Sequence, residues 1–311
     1  NVEATAATDY TVKIDVGGLS PGTTYYYQFV AANVASSVGK TRTVPIGPVE
    51  RLRVAVTSCA NYPYGYFHAY RRIAERTDLD LVLYLGDYLY EYANGTYGDG
   101  EPLGRVPDPD REIVSLEDYR LRHAQYKSDP DLQEVHRQHA CVAVWDDHEL
   151  ANNAWRDGAQ NHQAREGDWL LRKQSAIQAF FEWMPIRNPD AEAPARIYRQ
   201  FAWGDLADLI MLDTRVIGRD RQVDRCDLAS IEDPARSLLG LSQEAWLFEQ
   251  LTSSKGRGTR WRLLGQQVRF GLTLPDPPAP GCIGNSDNWG GYGGSRDRVL
   301  DALEAGIDNV V

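Results

Sequence analysis

Three short stretches decide how this chain folds: Thr57-Ser58-Cys59, Gly86-Asp87-Tyr88-Leu89-Tyr90-Glu91 and Trp145-Asp146-Asp147-His148-Glu149. Each follows an apolar run that reads as a buried strand, at residues 54–56, 81–85 and 141–144. Helical sequence separates them. Open α/β sheets bind their ligands in the crevice at the carboxyl ends of the strands. Three ends carrying thiol, carboxylate, phenol and imidazole groups therefore converge on one crevice. These are S, O and N donors, and the pattern predicts a hydrolase site built for more than one metal ion.

From Arg51 onward strands and helices alternate, which predicts a layered α/β domain. Helices are expected near 66–76, from Ser115 (with the box-like start Ser115-Leu116-Glu117-Asp118), and over 168–183, 242–254 and 295–305. A strand pair is expected over 196–213, a strand at 260–264 and a Pro/Gly loop at 275–294; residues 307–311 begin another strand. The front of the chain differs. Residues 10–16 alternate with period 2, residues 17–24 supply a turn cluster, and Tyr25-Tyr26-Tyr27-Gln28-Phe29-Val30 is rich in strand formers. This predicts a hairpin from the end of a fibronectin- or immunoglobulin-like sandwich. The expected division is a partial all-β domain over 1–45, a linker at 43–48, and the α/β domain over 46–311.

A length of 311 residues suits one large domain plus a small one. The net charge of -11 argues against a nucleic-acid partner, whose binding rests on neutralising phosphates, and suits cation binding. No apolar run is long enough to span a membrane. The chain opens in strand-like sequence and reads as trimmed at the front. Cys141 reads as a small core side chain. Cys226 and Cys282 lie in polar loop sequence and are either exposed thiols or a disulfide, the latter implying an oxidising compartment.

Within the motifs, Asp87 after Gly86 has the position of a bridging carboxylate, although a turn carboxylate would look the same. Tyr90 is either a packing aromatic or a hard phenolate ligand suited to a trivalent ion. Cys59 is either a core thiol or a thiolate lowered in pKa by a nearby cation. If a helix begins after the third strand, His148 and Asn152 share a face.

These motifs, in this order, resemble those of the PhoD-like alkaline phosphatase/phosphodiesterase family, within the calcineurin-like metallophosphoesterase superfamily. Leu212-Asp213-Thr214-Arg215, Trp289-Gly290-Gly291-Tyr292 and the front segment are similar to it too. The resemblance implies a metallophosphoesterase-type layered α/β sandwich behind a small N-terminal all-β domain. It also implies an exported (secreted or periplasmic) enzyme that hydrolyses phosphate mono- or diesters through a metal-bound hydroxide. Its cofactors would be one Fe(III) and two Ca(II). Carried over by residue, Cys59, Asp87 and Tyr90 would hold the iron, with Asp87 bridging to calcium. Asp147 would stand in for the superfamily's asparagine ligand, Asn152 would bind calcium with Asn153 in reserve, and His148 would contact the phosphate and assist the leaving group. The family's late Gly-Asp-X-His motif is not found before Val311, so the chain is expected to be truncated at both ends and to lack part of the metal shell.

Two rivals follow. A purple-acid-phosphatase-like monoesterase shares Gly-Asp-X-X-Tyr and a front sandwich, but Ser58-Cys59 and Asp146-Asp147-His148 do not fit its pattern. A non-catalytic surface protein would bind calcium structurally without iron. Oligomeric state is left open.

Overall fold

In the computed structural model, which describes residues 2–272 and 279–311, the N-terminal stretch forms strands and a single 3-10 turn. Strand β1 (Thr24–Tyr27) pairs antiparallel with β4 (Gly39–Arg42), and between them β2 (Val30–Ala31) and β3 (Val34–Ala35) make a small hairpin. Ala32 and Asn33 at its tip both have positive φ, the backbone that a two-residue hairpin turn demands. The strand expected over 10–16 does not form. Its polar side chains are occupied elsewhere: Lys13 donates to the carbonyls of Phe181 and Ile186, and Asp15 pairs with Arg187. Alternation there reflects an extended segment laid along the α/β domain, so the partner of β1 comes from downstream.

Strands β5 (Val54–Thr57), β6 (Leu81–Leu85) and β7 (Cys141–Val144) form a parallel sheet with β6 in the centre. Helix α1 (His68–Ala74) connects the first two strands. The second crossover holds α2 (Leu116–Ser128) and α3 (Pro130–Gln138). Ser115 and Asp118 cap α2 reciprocally, as their spacing predicts. The helical sequence breaks at Asp129-Pro130, because proline lacks the N–H a continuing helix needs and suits a first helical position. Asp129 then caps α3 through the N–H groups of Asp131 and Leu132.

After α4 (Trp169–Trp183), strands β8 (Arg199–Trp203) and β9 (Ala207–Met211) pair antiparallel, and β10 (Trp261–Gly265) joins β9 in parallel. A one-turn helix α5 (Leu228–Ile231), then α6 (Leu241–Gly256) and α7 (Gly293–Glu304), complete the order. Val310 bridges to Arg262, extending this sheet as the final residues predict. The expected loop at 275–294 falls partly on residues 273–278, outside the described ones; its later part carries a 3-10 turn at Trp289–Gly291.

Period-2 geometry divides the core. Ala207, Leu209 and Met211 point into an apolar cluster shared with β6, β7, α2 and α4, whereas Ile210 and Leu212 point into a second cluster with α6, α7 and Trp289. Side chains from both sheets meet in the first cluster, giving the layered arrangement. A disulfide joins Cys226 to Cys282, so these two are bonded rather than free thiols. Among the described residues, no helix is long and apolar enough to cross a membrane.

His123 is buried on α2, packs against Tyr88 and Phe180, and has no hydrogen-bond partner on either ring nitrogen. Burial pushes its pKa down to about 3. The unfolded chain therefore binds the extra proton between about pH 6.5 and 3, and stability drains away as pH falls through that window. His123→Phe should recover about 2 kcal/mol relative to the parent at pH 5 and nothing from this source at pH 8. Denaturant titrations at the two pH values check this, and an equal change at both would refute it.

Candidate metal centre

The ends of β5, β6 and β7 lie side by side, and the pairing of β5 with β6 continues past the strands. Cys59 donates its N–H to the Gly86 carbonyl (3.3 Å) and Ala60 to that of Asp87 (2.9 Å). Cys59 and Asp87 nevertheless have left-handed backbone, with φ of 57° and 51°. For non-glycine residues this costs on the order of 1–3 kcal/mol each and persists only where the surroundings impose it. Gly86, at φ 95°, is required for a different close approach. A Cβ there would lie 2.3 Å from the Asp146 nitrogen, so the bare glycine lets the end of β6 seat against the end of β7.

Two buried carboxylates tie these loops together. Glu149 accepts from the N–H groups of Tyr88 and Asp146. Glu91, fully buried, accepts from the backbone of Asn152, from the Asn161 amide and from His148 Nδ1 at 2.7 Å. That bond fixes the orientation of the imidazole, the role a carboxylate plays behind a histidine. One donor atom each from Asp87, Asp147 and His148 lies within 4.8 Å of the others. Residues 147–150 form a turn instead of a helix, with Leu150 N–H bonded to the Asp147 carbonyl, so His148 and Asn152 are not helical neighbours. Glu91 holds them together instead. The Asn152 amide donates to Gln160 Oε1 at 2.6 Å.

Cys59 Sγ and Tyr90 Oη both point at a single oxygen, Asp87 Oδ2, from 3.5 and 3.2 Å. The other oxygen, Oδ1, is buried with no hydrogen-bond partner. Burial is the largest influence pushing the pKa of Asp87 up, with Asp147 second; burial raises Tyr90 as well, and partial desolvation raises Cys59, whose residue is otherwise exposed to solvent. Thiol and phenol hydrogen bonds to Asp87 thus hold this cluster together where a cation could take their place. An orphaned carboxylate oxygen beside a thiol and a phenol is a donor set that fits a metal cation, and ion binding would release the thiol and phenol protons.

Arg215 is the counter-charge. Fully buried, it reaches Asp146 through Nε, Asp147 through Nη2 (3.4 Å) and Asp287 through Nη1 (2.9 Å). Burial works against ionisation of Asp147, but Arg215 and then His148 outweigh it and hold that carboxyl low. Asp146 goes the other way: burial dominates and Asp147 and Asp87 add to it. For His148, burial opposes the charge, yet Glu91 and then Asp147 lift its pKa to about 10. Arg219 and Gln222 converge on Asp287 as well.

The structure brings together Cys59, Asp87, Tyr90, Asp147 and His148, with Asn152 beside them through Glu91. Sequence reasoning gave no role to Glu91, Arg215 or Asp287. Arg215 follows the end of β9, so the strand-end argument that singled out the other motifs applied to it equally. Asp287 lies in a loop without a strand signal.

Buried, unequally charged carboxylates with a thiol, a phenol and an imidazole at parallel strand ends make a candidate cation-binding site. The family described as PhoD-like phosphatase matches residues 54–311, and its N-terminal domain matches residues 1–45. The chain belongs to the PhoD-like phosphatase family. It is similar to alkaline phosphatase D of Bacillus subtilis (strain 168), 37% identical over 316 residues, covering 97% of this chain and 52% of that protein. A solved structure titled "Structure of PhoD" matches with a TM-score of 0.88 at 34% identity, covering 99% of this chain and 59% of that one. The chain thus spans about half the length of the curated relative.

Gly86→Ala should destabilise the fold by on the order of 3 kcal/mol, since it combines left-handed strain with a clash against backbone that cannot swing aside. A loss below about 1 kcal/mol in urea unfolding would show that the two strand ends do not depend on this contact.

Proposed function

We propose that this chain is the metal-binding portion of an exported phosphoesterase that hydrolyses phosphate monoesters or diesters. Membership of the PhoD-like phosphatase family supports the reading, and so does the name alkaline phosphatase D of the curated relative. The observation that carries it is the convergence of Cys59 Sγ and Tyr90 Oη on Asp87 Oδ2, with Asp87 Oδ1 left unpaired. Cys59, Asp87 and Tyr90 would hold a trivalent iron, and Asp87, Asp147 and Asn152 calcium. When bound, these ions supply Lewis acidity, acidify a water and offset phosphate charge.

The chain's own groups do the rest. His148, held at Nδ1 by Glu91, keeps a proton at Nε2 for a phosphate or leaving-group oxygen. Glu91 orients that ring and does not touch substrate. Arg215 keeps Asp147 ionised and ready to bind a cation. The disulfide suits an oxidising compartment, in keeping with export.

Asp87→Asn should leave the fold intact and reduce hydrolysis of p-nitrophenyl phosphate and its bis-ester by at least about a hundredfold, because a lost bridging charge weakens both ion positions. Retention of a tenth of parental turnover would sink the assignment. The iron has its own signature. A tyrosinate bound to Fe(III) absorbs visible light, whereas calcium or a filled-shell zinc does not. The loaded protein should be coloured, and Tyr90→Phe should bleach it and lower the iron found by elemental analysis. A colourless, iron-free and active protein would move the site to another metal set.

A further inference from the structure

Beside His148 the chain presents an aromatic wall whose outer rings are not buried. Tyr97 is 48% exposed and Tyr64 63% exposed. Tyr90 stacks on the His148 ring with centroids 4.2 Å apart, and Tyr97 lies nearly parallel to that ring, at 11° and 6.4 Å. Tyr97 also meets Tyr90 at 5.8 Å and takes Tyr64 edge-on at 5.4 Å. Aromatic surface therefore continues outward from the imidazole to solvent without a break.

Tyr97 sits on a tethered loop, with Tyr64 beside it on the 3-10 turn Tyr62–Tyr64. Asn94 donates to Asp99 and accepts from the Gly100 N–H, Gly95 N–H reaches the Gly98 carbonyl, and Asn61 donates to the Tyr97 carbonyl at 3.0 Å. Gly98, at φ 95°, has room only for hydrogen: a Cβ there would come within 2.9 Å of the Tyr64 ring. A loop that fixes large apolar side chains yet leaves them in water forgoes the burial that normally repays such residues. It gains a surface already ordered for a ligand ring.

We propose that Tyr97, backed by Tyr64, is a stacking platform for a flat ring carried by the leaving alcohol, so that the preferred esters are those of nucleosides or aryl alcohols. The inference rests on the phosphoesterase reading above, in which the leaving oxygen lies at His148. A ring joined to that oxygen through a short linker comes to the face of Tyr97, where offset stacking is favourable. Base–aromatic stacking is strong enough to set a preference on the order of tenfold. Tyr97 is a specificity residue here and takes no part in bond making.

The test compares kcat/KM of the metal-loaded full-length protein, extending past Val311, and its Tyr97 variants on adenosine 5′-monophosphate, benzyl phosphate and glycerol 3-phosphate, and on the methyl diester of each. Tyr97→Ala should lower kcat/KM about tenfold or more for the two ring-bearing leaving groups, mainly through KM, and no more than about threefold for glycerol. Tyr97→Phe and Tyr97→Trp should restore the preference. Saturation-transfer NMR with adenosine 5′-monophosphate gives a readout besides turnover, and the ring signal should vanish in Tyr97→Ala while thermal unfolding is unchanged. A response confined to one of the two ring esters supports the platform and names its source. Equal losses on all three leaving groups, or none, overturn the platform while leaving the phosphoesterase reading intact. If the parent hydrolyses none of the six esters, the phosphoesterase reading falls and the platform with it.

Discussion

Everything at the centre depends on holding several carboxylates together away from water. Asp87, Asp146, Asp147 and Glu149 are all buried within a few residues of two neighbouring strand ends. Like charges so placed repel, and desolvation adds to the cost. Three devices make the arrangement tolerable. Arg215 spans Asp146 and Asp147, backbone N–H groups satisfy Glu149, and the Cys59 thiol and Tyr90 phenol donate to Asp87 where a cation would bring its charge. The left-handed residues and the bare Gly86 are the backbone's share of the same problem, since no relaxed strand ending brings these groups so close.

Most of the α/β layer could be read from the chain because it is written locally. Apolar runs of strand length, caps such as Ser115, and prolines mark elements without reference to distant residues. The errors arose where a local pattern had a distant partner. Period-2 alternation over residues 10–16 is the same whether the segment pairs with a strand or lies on a helix end, and only Phe181, Ile186 and Arg187 decide between them. The helix expected to align His148 with Asn152 failed for a similar reason: Glu91, from the neighbouring strand end, had already claimed both residues.

The candidate site was legible in proportion to how closely each residue followed a strand. Cys59, Asp87, Tyr90 and His148 announce themselves by position. Arg215 carries the same positional mark and sits in a motif noted for its resemblance, but an arginine suggests no ligand chemistry and so received no role. Asp287 carries no mark at all. Its importance comes from Arg215, Arg219 and Gln222 meeting it in space, which no spacing along the chain foretells.

Asp287 also follows closely on Cys282, whose partner Cys226 lies on the segment just after Arg215, Arg219 and Gln222. The Ile283 N–H reinforces the junction by bonding to the Arg225 carbonyl at 2.9 Å. The bridge closes a span of 56 residues and so greatly restricts where Asp287 can roam in an unfinished chain. A copy folding among reducing thiols would offer Arg215 its two inner aspartates while the outer one searched a much larger volume. Oxidation therefore lowers the conformational cost of completing the charge balance around the strand ends.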